Sequence, residues 1–460
     1  MPLFKFHSLK LPNASISAFS SKINDTENLA GVCYFALGTA KAATWDPLGN
    51  VTLLNLPGQL SSYAFDLNAK GNVVGSFNNN SFFWEKSTGT MTILKAFDGN
   101  PTLRGYMGGA RAINDLDQIT GSVSLTGNAL NPENLALWTT PNSIPLNLTS
   151  GVNLGPYSHS GGTDINKNGV IVGNVGNFGY YLGFSNHGFI EDGINWQFFL
   201  DSSLTGNPVY EARAVNDLVP PQIVGTLGGN YVPPGTVPSD SFAFMYDSQT
   251  GSLQILSLPG ESGQALDINN KGDIVGVVNG SSPFPTPNNA VMWTLNGLVK
   301  VDLNHPTISD AAVKGWHLSD ATSINNNGSI TGLASLISDP DATRPYVLTP
   351  AIPVRKIKVE YMLPHILWPG EAYDGPRPKG WPVHIPFPIP SPNPFQIVGR
   401  GTVALNNVLA CKNLNETLSN LRDEKDRKEM GAIITRILKR EMNKLKNILA
   451  NSSSLGKKGK

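Results

Sequence analysis

Residues 265–276 read ALDINNKGDIVG, and variants of this frame recur along the chain. Seven copies share an aliphatic residue followed by Asn, with a Gly seven residues later in six copies and nine residues later in the fifth. The Asn positions are Asn24, Asn68, Asn114, Asn166, Asn216, Asn269 and Asn325. Successive Asn residues lie 44 to 56 positions apart, which indicates seven structural repeats of about that length.

Each copy of the frame predicts two short strands joined by a turn. An Asn at the first turn position can cap a type I turn, and a Gly at the fourth position tolerates a positive φ. Glu27 and Asp117 replace that Gly in the first and third copies. The Gly that ends the frame lies inside the second strand, where it indicates a close backbone approach or a β-bulge.

A third strand, usually ending in an aromatic residue, and then a fourth strand follow the frame in the first six copies. Four antiparallel strands in about 50 residues make one blade of a β-propeller, so seven copies predict seven blades. The tryptophans at the ends of the third strands are expected in the core between blades. They are Trp45, Trp84, Trp138 and Trp293.

The chain is predicted to close its own ring. The seventh copy runs from Tyr346–Pro350 into proline-rich sequence and therefore lacks a fourth strand, whereas the N-terminal stretch Phe4–Leu11 reads as a strand without a partner. We expect residues 3–11 to pair with the last blade, because this pairing removes two exposed sheet edges. The predicted fold class is all-β: a seven-bladed β-propeller whose N-terminal strand closes the last blade, with a small α-helical C-terminal extension.

The frame A-x-x-I-N-x-x-G-x-I-V-G, followed by an aromatic strand and by L-x-x-L-P-G, resembles the HAF family of extracellular repeats. The resemblance covers the repeat region, residues 1–350. It implies a bacterial protein with an extracellular or cell-surface setting, and it implies no reaction. The His-Ala-Phe strand of the family is mostly missing, and His187 in His187–Gly188–Phe189 is the retained trace. The N-terminal residues lack a continuous apolar stretch, so the sequence shows no signal peptide.

Charge is unevenly distributed along the chain. Residues 1–350 carry 15 Lys and Arg against 25 Asp and Glu, residues 351–395 carry 5 against 3, and residues 396–460 carry 14 against 6. A shift of this size marks a domain boundary. We predict three parts: the propeller at 1–350, a proline-rich strap or linker at 351–400, and a basic amphipathic helical tail at 401–460.

The last hundred residues combine a proline-rich run with a helical pattern. Residues 353–394 contain eleven prolines, which favours polyproline II in a spacer or strap, with binding to an aromatic-grooved partner domain as the alternative. Residues 423–450 place apolar side chains three to four apart along one helix face. This helix could dock on the propeller, form a homo-oligomer, or contact an anionic membrane surface or an acidic partner. Nucleic acid is disfavoured as a partner because the main domain is acidic.

Sequence motifs for catalysis and cofactor binding are absent. There is no G-x-S-x-G, no H-E-x-x-H and no P-loop, and neither the seven histidines nor Cys33 and Cys411 have metal-ligand spacing. We therefore expect no catalytic residue, no cofactor and no metal. Asp66, Asp164 and Asp267 each precede a repeat Asn by two residues. A ring of such carboxylates could bind a cation, although this residue more often accepts hydrogen bonds from backbone donors of the adjacent blade.

The candidate ligand site follows from propeller geometry. The loops that enter the innermost strands open onto one face around a central funnel, where aromatic residues and Arg can stack on and hydrogen-bond a sugar or a peptide. The candidate ligand-binding residues are Tyr63, Tyr106, Arg111, Tyr157, His159, Tyr210, Arg213 and Trp316. For each of them the alternative is packing between blades or solvation of a loop.

The predicted function is a non-enzymatic binding or interaction scaffold, with a protein or glycan ligand recognised at the funnel and the tail serving assembly or attachment. One alternative is a glycan-active hydrolase or lyase with a carboxylate site in the funnel, and another is a purely structural surface protein. Carboxylates within reach of one another at the funnel would favour the enzyme. An aromatic-lined, charge-poor funnel would favour binding.

Overall fold

The computed structural model describes residues 3–351 with gaps. The gaps are residues 55, 57–60, 78–79, 101–108, 125–132, 153–158, 177–186, 192–195, 199–209, 229–240, 259–260, 280–287, 295 and 298. The chain divides into two compact units, Met1–Arg355 and Lys356–Lys460, and every described residue belongs to the first. The predicted proline-rich segment and helical tail therefore lie outside the described residues, apart from Ala351.

Six four-stranded antiparallel sheets follow one another along the chain, each built from consecutive strands. The first three sheets contain β2 (Ser15–Ile23), β3 (Leu29–Phe35), β4 (Ala40–Trp45) and β5 (Val51–Leu53); β6 (Ser62–Leu67), β7 (Val73–Phe77), β8 (Asn80–Glu85) and β9 (Thr90–Ile93); and β10 (Gly109–Ile113), β11 (Ile119–Ser124), β12 (Glu133–Trp138) and β13 (Leu146–Asn147). The next three contain β14 (His159–Ile165), β15 (Ile171–Gly176), β16 (His187–Glu191) and β17 (Trp196–Phe198); β18 (Tyr210–Val215), β19 (Gln222–Leu227), β20 (Phe242–Asp247) and β21 (Ser252–Ile255); and β22 (Ser262–Ile268), β23 (Ile274–Asn279), β24 (Asn289–Thr294) and β25 (Val299–Asp302).

One further sheet has five strands and combines both ends of the described chain. It contains β1 (Phe4–Ser8), β26 (Trp316–Leu318), β27 (Ser323–Ile324), β28 (Ile330–Leu336) and β29 (Asp339–Pro350), in the order β1-β29-β28-β26, with β27 also paired to β28. Phe4 pairs with Pro350 and Ser8 pairs with Tyr346. This pairing agrees with the predicted docking of residues 3–11 on the last repeat.

The fold is therefore an all-β β-propeller with six regular four-stranded blades and this five-stranded sheet beside them. In the described connections there are two short 3-10 helices, Ala36–Gly38 and Ala312–Lys314. Within the described ranges, no helix is long and apolar enough to cross a membrane.

The repeat frame folds around a bulge in the innermost strand of each regular blade. The pairing of β6 with β7, for example, shifts register between Ala64 and Asp66, directly before the Asn turn. The repeat Gly lies opposite this bulge, and a Cβ added at Gly75 would sit 2.0 Å from the Tyr63 backbone oxygen. The same approach recurs in five other repeats. Of the two alternatives that the sequence offered for this Gly, the close backbone approach is present, whereas the bulge lies in the partner strand.

The hydrophobic core lies between neighbouring blades. One buried cluster joins Val74, Phe83 and Leu94 of the second blade to Ile113 and Trp138 of the third. Three of the four tryptophans predicted in the core, Trp45, Trp138 and Trp293, are fully buried, whereas Trp84 is half-buried against such a cluster.

The three buried tryptophans also link their blades to an earlier segment of the chain. Trp138 Nε1 donates to the Lys95 backbone oxygen at 2.7 Å, just after the last strand of the blade before it. Trp45 Nε1 donates in the same way to the Lys10 backbone oxygen at 2.8 Å. The segment that follows β1 therefore contacts the first blade in the same way as the segment that follows the second blade contacts the third.

Candidate functional site along the central channel

A belt of asparagine side chains encircles the inner ends of the blades. The seven repeat asparagines are at most 7% exposed. Nδ2 of each donates to the backbone oxygen of the corresponding Asn in the next repeat, at 2.9–3.4 Å. The last bond runs from Asn325 to the Asn24 oxygen at 2.9 Å, so the belt closes on itself.

The same asparagines cap the turns, as the sequence predicted. Asn166 Oδ1 accepts hydrogen bonds from the backbone N–H groups of Asn168 and Val170, both at 3.0 Å. The pattern recurs in every copy except the fifth, where the insertion leaves one such bond, from Gln222 N. Glu27 and Asp117 adopt the positive φ that Gly takes in four other turns. The frame therefore shapes its own turn and ties it to the next repeat.

Two residues before the belt, acidic and small side chains alternate around the ring. The sequence in ring order is Lys22, Asp66, Ala112, Asp164, Ala214, Asp267 and Ser323. A small neighbour leaves room for each carboxylate to reach the next innermost strand. Asp66 Oδ2 accepts from Ile113 N at 2.8 Å, and Asp164 Oδ2 accepts from Val215 N at 2.9 Å.

Asp267 completes the set, since its Oδ2 accepts from Ile324 N at 3.0 Å. All three carboxylates are at most 8% exposed. They therefore serve the structural alternative to cation binding, as acceptors for backbone donors of the adjacent sheet.

Lys22 occupies the remaining position of this ring. Its Nζ lies 2.9 Å from Asp267 Oδ1, and its side chain is 27% exposed. Burial alone lowers the pKa of Lys22, but the carboxylates of Asp267, Asp164 and Asp66 outweigh burial and hold the pKa above its usual value. Burial raises the pKa of Asp66 to about 7 and also raises that of Asp164, against the opposing effect of Lys22. Three carboxylates thus share one ammonium group.

A cavity of about 160 Å³ opens at the end of the channel where the asparagine turns lie. The ring of Lys22 and the three carboxylates lines it, and the aliphatic residues that precede each Asn follow outward along the strands. The residues that follow each Asn line the mouth; they are Asp25, Ala69, Asp115, Lys167, Asp217, Asn270 and Asn326.

Two of the sequence-predicted ligand residues meet at the other end of the innermost strands, before the carboxylate ring. The Tyr63 and Phe65 rings are stacked, with centroids 6.4 Å apart and planes 6° apart. The Arg111 guanidinium lies 4.7 Å from the Phe65 centroid. Phe65 was missed by the sequence analysis, although Tyr63 and Phe65 alternate on one strand and alternation places both on the same face.

The other predicted residues do not join this cluster through any described contact. Arg213 Nη2 forms an ion pair with Glu211 Oε2 at 2.8 Å. His159 Nδ1 accepts from Glu133 N at 3.1 Å, and burial lowers the pKa of His159 although the Glu133 carboxylate raises it. Trp316 packs against Phe6 of β1, with ring centroids 5.8 Å apart.

Three predicted ligand residues cannot be placed. Tyr106 and Tyr157 lie outside the described residues, as does the side chain of Tyr210 in β18.

The described part of the chain contains neither a metal-binding cluster nor a reactive thiol. No three His, Cys, Asp or Glu side chains there are close enough to hold a metal ion. Cys33 is free and buried, and burial raises the pKa of its thiol to about 12, which keeps it protonated.

Comparison with known proteins shows structural likeness at low identity. No family model and no curated protein sequence matches the chain. The extracellular domain of a one-component system from B. thetaiotaomicron is 11% identical, with a TM-score of 0.44 over 75% of this chain and 39% of that chain. The β-propeller domain of the Trilobed protease from Pyrococcus furiosus is 10% identical, with a TM-score of 0.44 over 74% of this chain and 98% of that chain. A GH74 enzyme from Niastella koreensis is 11% identical, with a TM-score of 0.43 over 74% of this chain and 53% of that chain.

Proposed function

We propose that the protein is a non-enzymatic binding scaffold whose glycan or peptide ligand is recognised by Tyr63, Phe65 and Arg111. The stacking of these three side chains is the observation that carries the proposal. All three are half-buried on the innermost strands β6 and β10. A stacked aromatic pair beside a guanidinium offers a flat apolar face together with directional charged donors, the combination that sugar and peptide ligands use.

The bonding of the acidic side chains supports binding over hydrolysis. A glycosidase needs two carboxyl groups open to the substrate, one as acid and one as base or nucleophile. Asp66 and Asp164 each accept two backbone hydrogen bonds, and Asp267 also accepts from Ser323 Oγ at 2.6 Å. Glu211 is held by Arg213. These four carboxylates are therefore committed to the scaffold.

We infer that the five-stranded sheet is the seventh blade. Its contacts with the first blade support this. Ser20 Oγ and Thr331 Oγ1 are 2.6 Å apart, and Thr322 Oγ1 donates to the Ser20 backbone oxygen at 2.9 Å. A ring of seven blades closed in this way would hold the platform of Tyr63, Phe65 and Arg111 rigidly, which lowers the ordering cost of binding.

We also propose that this ring belongs with the HAF-type extracellular repeats and that the tail, residues 401–460, serves assembly or attachment. A helix at 423–450 would mediate a homo-oligomer or contact an anionic membrane surface. Light scattering on the full chain and on a chain ending at residue 400 tests this. Loss of a larger species on truncation supports assembly, whereas identical masses together with no binding to anionic vesicles contradict both roles.

Glycan and peptide arrays probed with the full chain test the platform. Arg111→Ala and Tyr63→Ala should each reduce the signal of any ligand found by about tenfold, because a desolvated cation–π or stacking contact contributes about 1–2 kcal/mol. Lys41→Ala is the matched control, since Lys41 lies over the Phe35 ring at 5.6 Å in β4 and not on an innermost strand. Silence of the full chain on both arrays would favour the purely structural alternative, and release of reducing ends from a bound glycan would favour the enzyme.

A further inference from the structure

The β-bulge in each innermost strand presents one side chain per repeat to the channel. The bulged residue lies three positions before the repeat asparagine, as Phe65 does between Ala64 and Asp66. The same register shift occurs in the other five regular blades, and a bulge re-aims the side chain that it carries. The residues at this position, here called the bulge residues, are Ser21, Phe65, Arg111, Thr163, Arg213, Leu266 and, directly before β27, Thr322.

Burial distinguishes the bulge residues from their neighbours in the chain. All seven are half-buried, whereas the residue before each of them is buried in every repeat. The residue after each is also buried, except for Lys22 in the first repeat. The residues before them are all Ser, Ala or Gly, but the bulge residues themselves differ widely in chemistry. The repeat frame therefore holds one variable, partly exposed side chain per repeat at the same level of the channel.

Three of the bulge residues hold the ring together. The hydroxyl groups of Ser21, Thr163 and Thr322 each donate to a backbone oxygen of the next innermost strand, at 2.7–2.9 Å. The remaining four bulge residues have no hydroxyl group and combine two guanidinium groups with two apolar side chains. They are Phe65, Arg111, Arg213 and Leu266.

Positive charge is the charge that faces a ligand at this level. The bulge residues include Arg111 and Arg213 and no acidic side chain, and the Glu211 carboxylate pairs with one nitrogen of Arg213 at 2.8 Å. One residue further along the strands, the Lys22 side chain is 27% exposed, whereas the carboxylates of that ring are at most 8% exposed because they turn to backbone donors. An anionic group among the bulge residues therefore meets cations that are more exposed than the carboxylates.

The bulge residues suit a peptide better than a sugar. The hydroxyl groups of a sugar need acceptors, but no bulge residue is an Asp, Glu, Asn or Gln, and the three hydroxyl groups present already donate to backbone oxygens. Phe65 and Leu266 instead offer apolar contact to a side chain. Beyond them, Lys22 extends toward Asp267 in the next ring of the channel, so a ligand chain that enters from the opposite end arrives end first.

We propose that the ligand is the C-terminal end of a peptide chain, with its carboxylate at Arg111 and Arg213 and an apolar terminal side chain against Phe65 and Leu266. A guanidinium group can donate two parallel N–H bonds to one carboxylate. Capture of a terminal carboxylate is an established way of binding a peptide end. The inference rests on the proposed function, because Phe65 and Arg111 belong to both.

Calorimetric titration of the full chain with acetyl-Gly-Gly-Leu, as the free acid and as the C-terminal amide, tests the carboxylate. The acid should bind at least about tenfold more tightly, because the amide cannot accept charge-assisted hydrogen bonds from both guanidinium groups. The free acid of acetyl-Gly-Gly-Ser should bind about tenfold more weakly than that of acetyl-Gly-Gly-Leu, because it lacks the apolar side chain. Trigalacturonate presents a carboxylate on a sugar and tests the other class of ligand.

The outcomes separate this inference from the proposed function. Equal affinity for acid and amide overturns the carboxylate assignment, and binding of trigalacturonate without the peptides overturns the peptide assignment; either result leaves the binding scaffold standing. Silence of the peptides overturns the inference alone if the glycan or peptide arrays give another ligand. It overturns both proposals if the arrays are silent as well.

Variants assign the two parts of the ligand to their side chains. Arg111→Gln should reduce the ratio of acid to amide affinity about tenfold, whereas Leu266→Ala should weaken acid and amide alike and keep that ratio. Arg344→Gln on β29, outside the innermost strands, is the matched control and should change neither. If Arg111→Gln does not fold, raising NaCl from about 50 to about 500 mM should weaken the acid several-fold and leave the amide unchanged, and an equal response of both would overturn the proposal.

Discussion

Removal of one side chain from the asparagine belt tests whether the belt stabilises the ring. Asn166 is the best position, because its side chain makes the full set of three hydrogen bonds. It donates to the Asn216 oxygen at 2.9 Å and accepts from the backbone N–H groups of Asn168 and Val170. Asn166→Ala abolishes all three, and at 3% exposure the site admits little water in compensation.

The expected loss follows from the bond count. A buried hydrogen bond contributes about 1 kcal/mol net, and a donor or acceptor left buried without a partner costs about as much again or more. Asn168 N can turn to water because Asn168 is exposed, whereas the Asn216 oxygen cannot. We therefore expect Asn166→Ala to lower the free energy of unfolding by about 2–3 kcal/mol.

Urea unfolding followed by tryptophan fluorescence measures this change, provided that the transition is reversible and the m-value is unchanged. Asn168→Ala is the control two residues away: its Nδ2 makes one exposed bond to the Asp217 oxygen at 3.2 Å, so its loss should be below about 0.5 kcal/mol. The reasoning fails if the two variants lose the same stability. It also fails if Asn166→Ala unfolds in two steps with an unchanged main transition, since the belt would then be local to one turn.

Three further predictions concern the ring. The pKa of Asp66 in the folded protein, about 7, lies above its ordinary value of 3.8, so folding favours the protonated carboxyl group. The free energy of unfolding should therefore fall as pH rises from 3.8 to 7 and stay level above pH 7. Asp66→Asn should remove up to about 4 kcal/mol of that fall in urea titrations, and an unchanged pH profile would contradict the argument. Phe6→Ala should lower the free energy of unfolding by about 3–5 kcal/mol, because Phe6 is buried. Lys5→Ala, on the opposite, exposed face of β1, should lower it by less than about 0.5 kcal/mol. Equal losses would mean that β1 does not close the ring. Gly225→Ala should prevent native folding, as judged by circular dichroism and solubility, because the added Cβ would lie 1.9 Å from the Glu211 oxygen; a native-like Gly225→Ala variant would show that the strands can separate there.

The sequence predicted the features that depend on residues within a single repeat. The turn cap, the positive φ after it, the close backbone approach at Gly75 and the burial of Trp138 all depend on residues a short distance apart in the chain. The pairing of β1 with β29 was also predictable, because an unpaired strand and an incomplete repeat stood at the two ends.

The composition of the candidate site was predicted less well, because it depends on residues that meet only around the ring axis. Lys22 and Asp267 are 245 positions apart, and no local pattern links them. Phe65 has no polar group, so the sequence alone does not mark it as a ligand residue. Its importance comes from Arg111 in the next repeat, which lies over its ring. The spacing of the repeats therefore predicted which positions form the ring, but not which of their side chains contact one another.

The odd number of repeats explains why the ring of carboxylates contains a lysine. The ring alternates between Asp and a small residue, which is a pattern of period two. A closed ring of seven positions cannot complete such a pattern without placing two residues of one kind side by side. Ser323 is a small residue that also acts as an acceptor. Its Oγ donates to Asp267 and accepts from Ile23 N at 3.3 Å, and on the other strands a carboxylate accepts that backbone hydrogen bond. The remaining position, that of Lys22, does not have to accept a hydrogen bond from the neighbouring strand. Three buried carboxylates around one axis need a cation. Lys22 supplies it, so that one ammonium group faces three carboxylates.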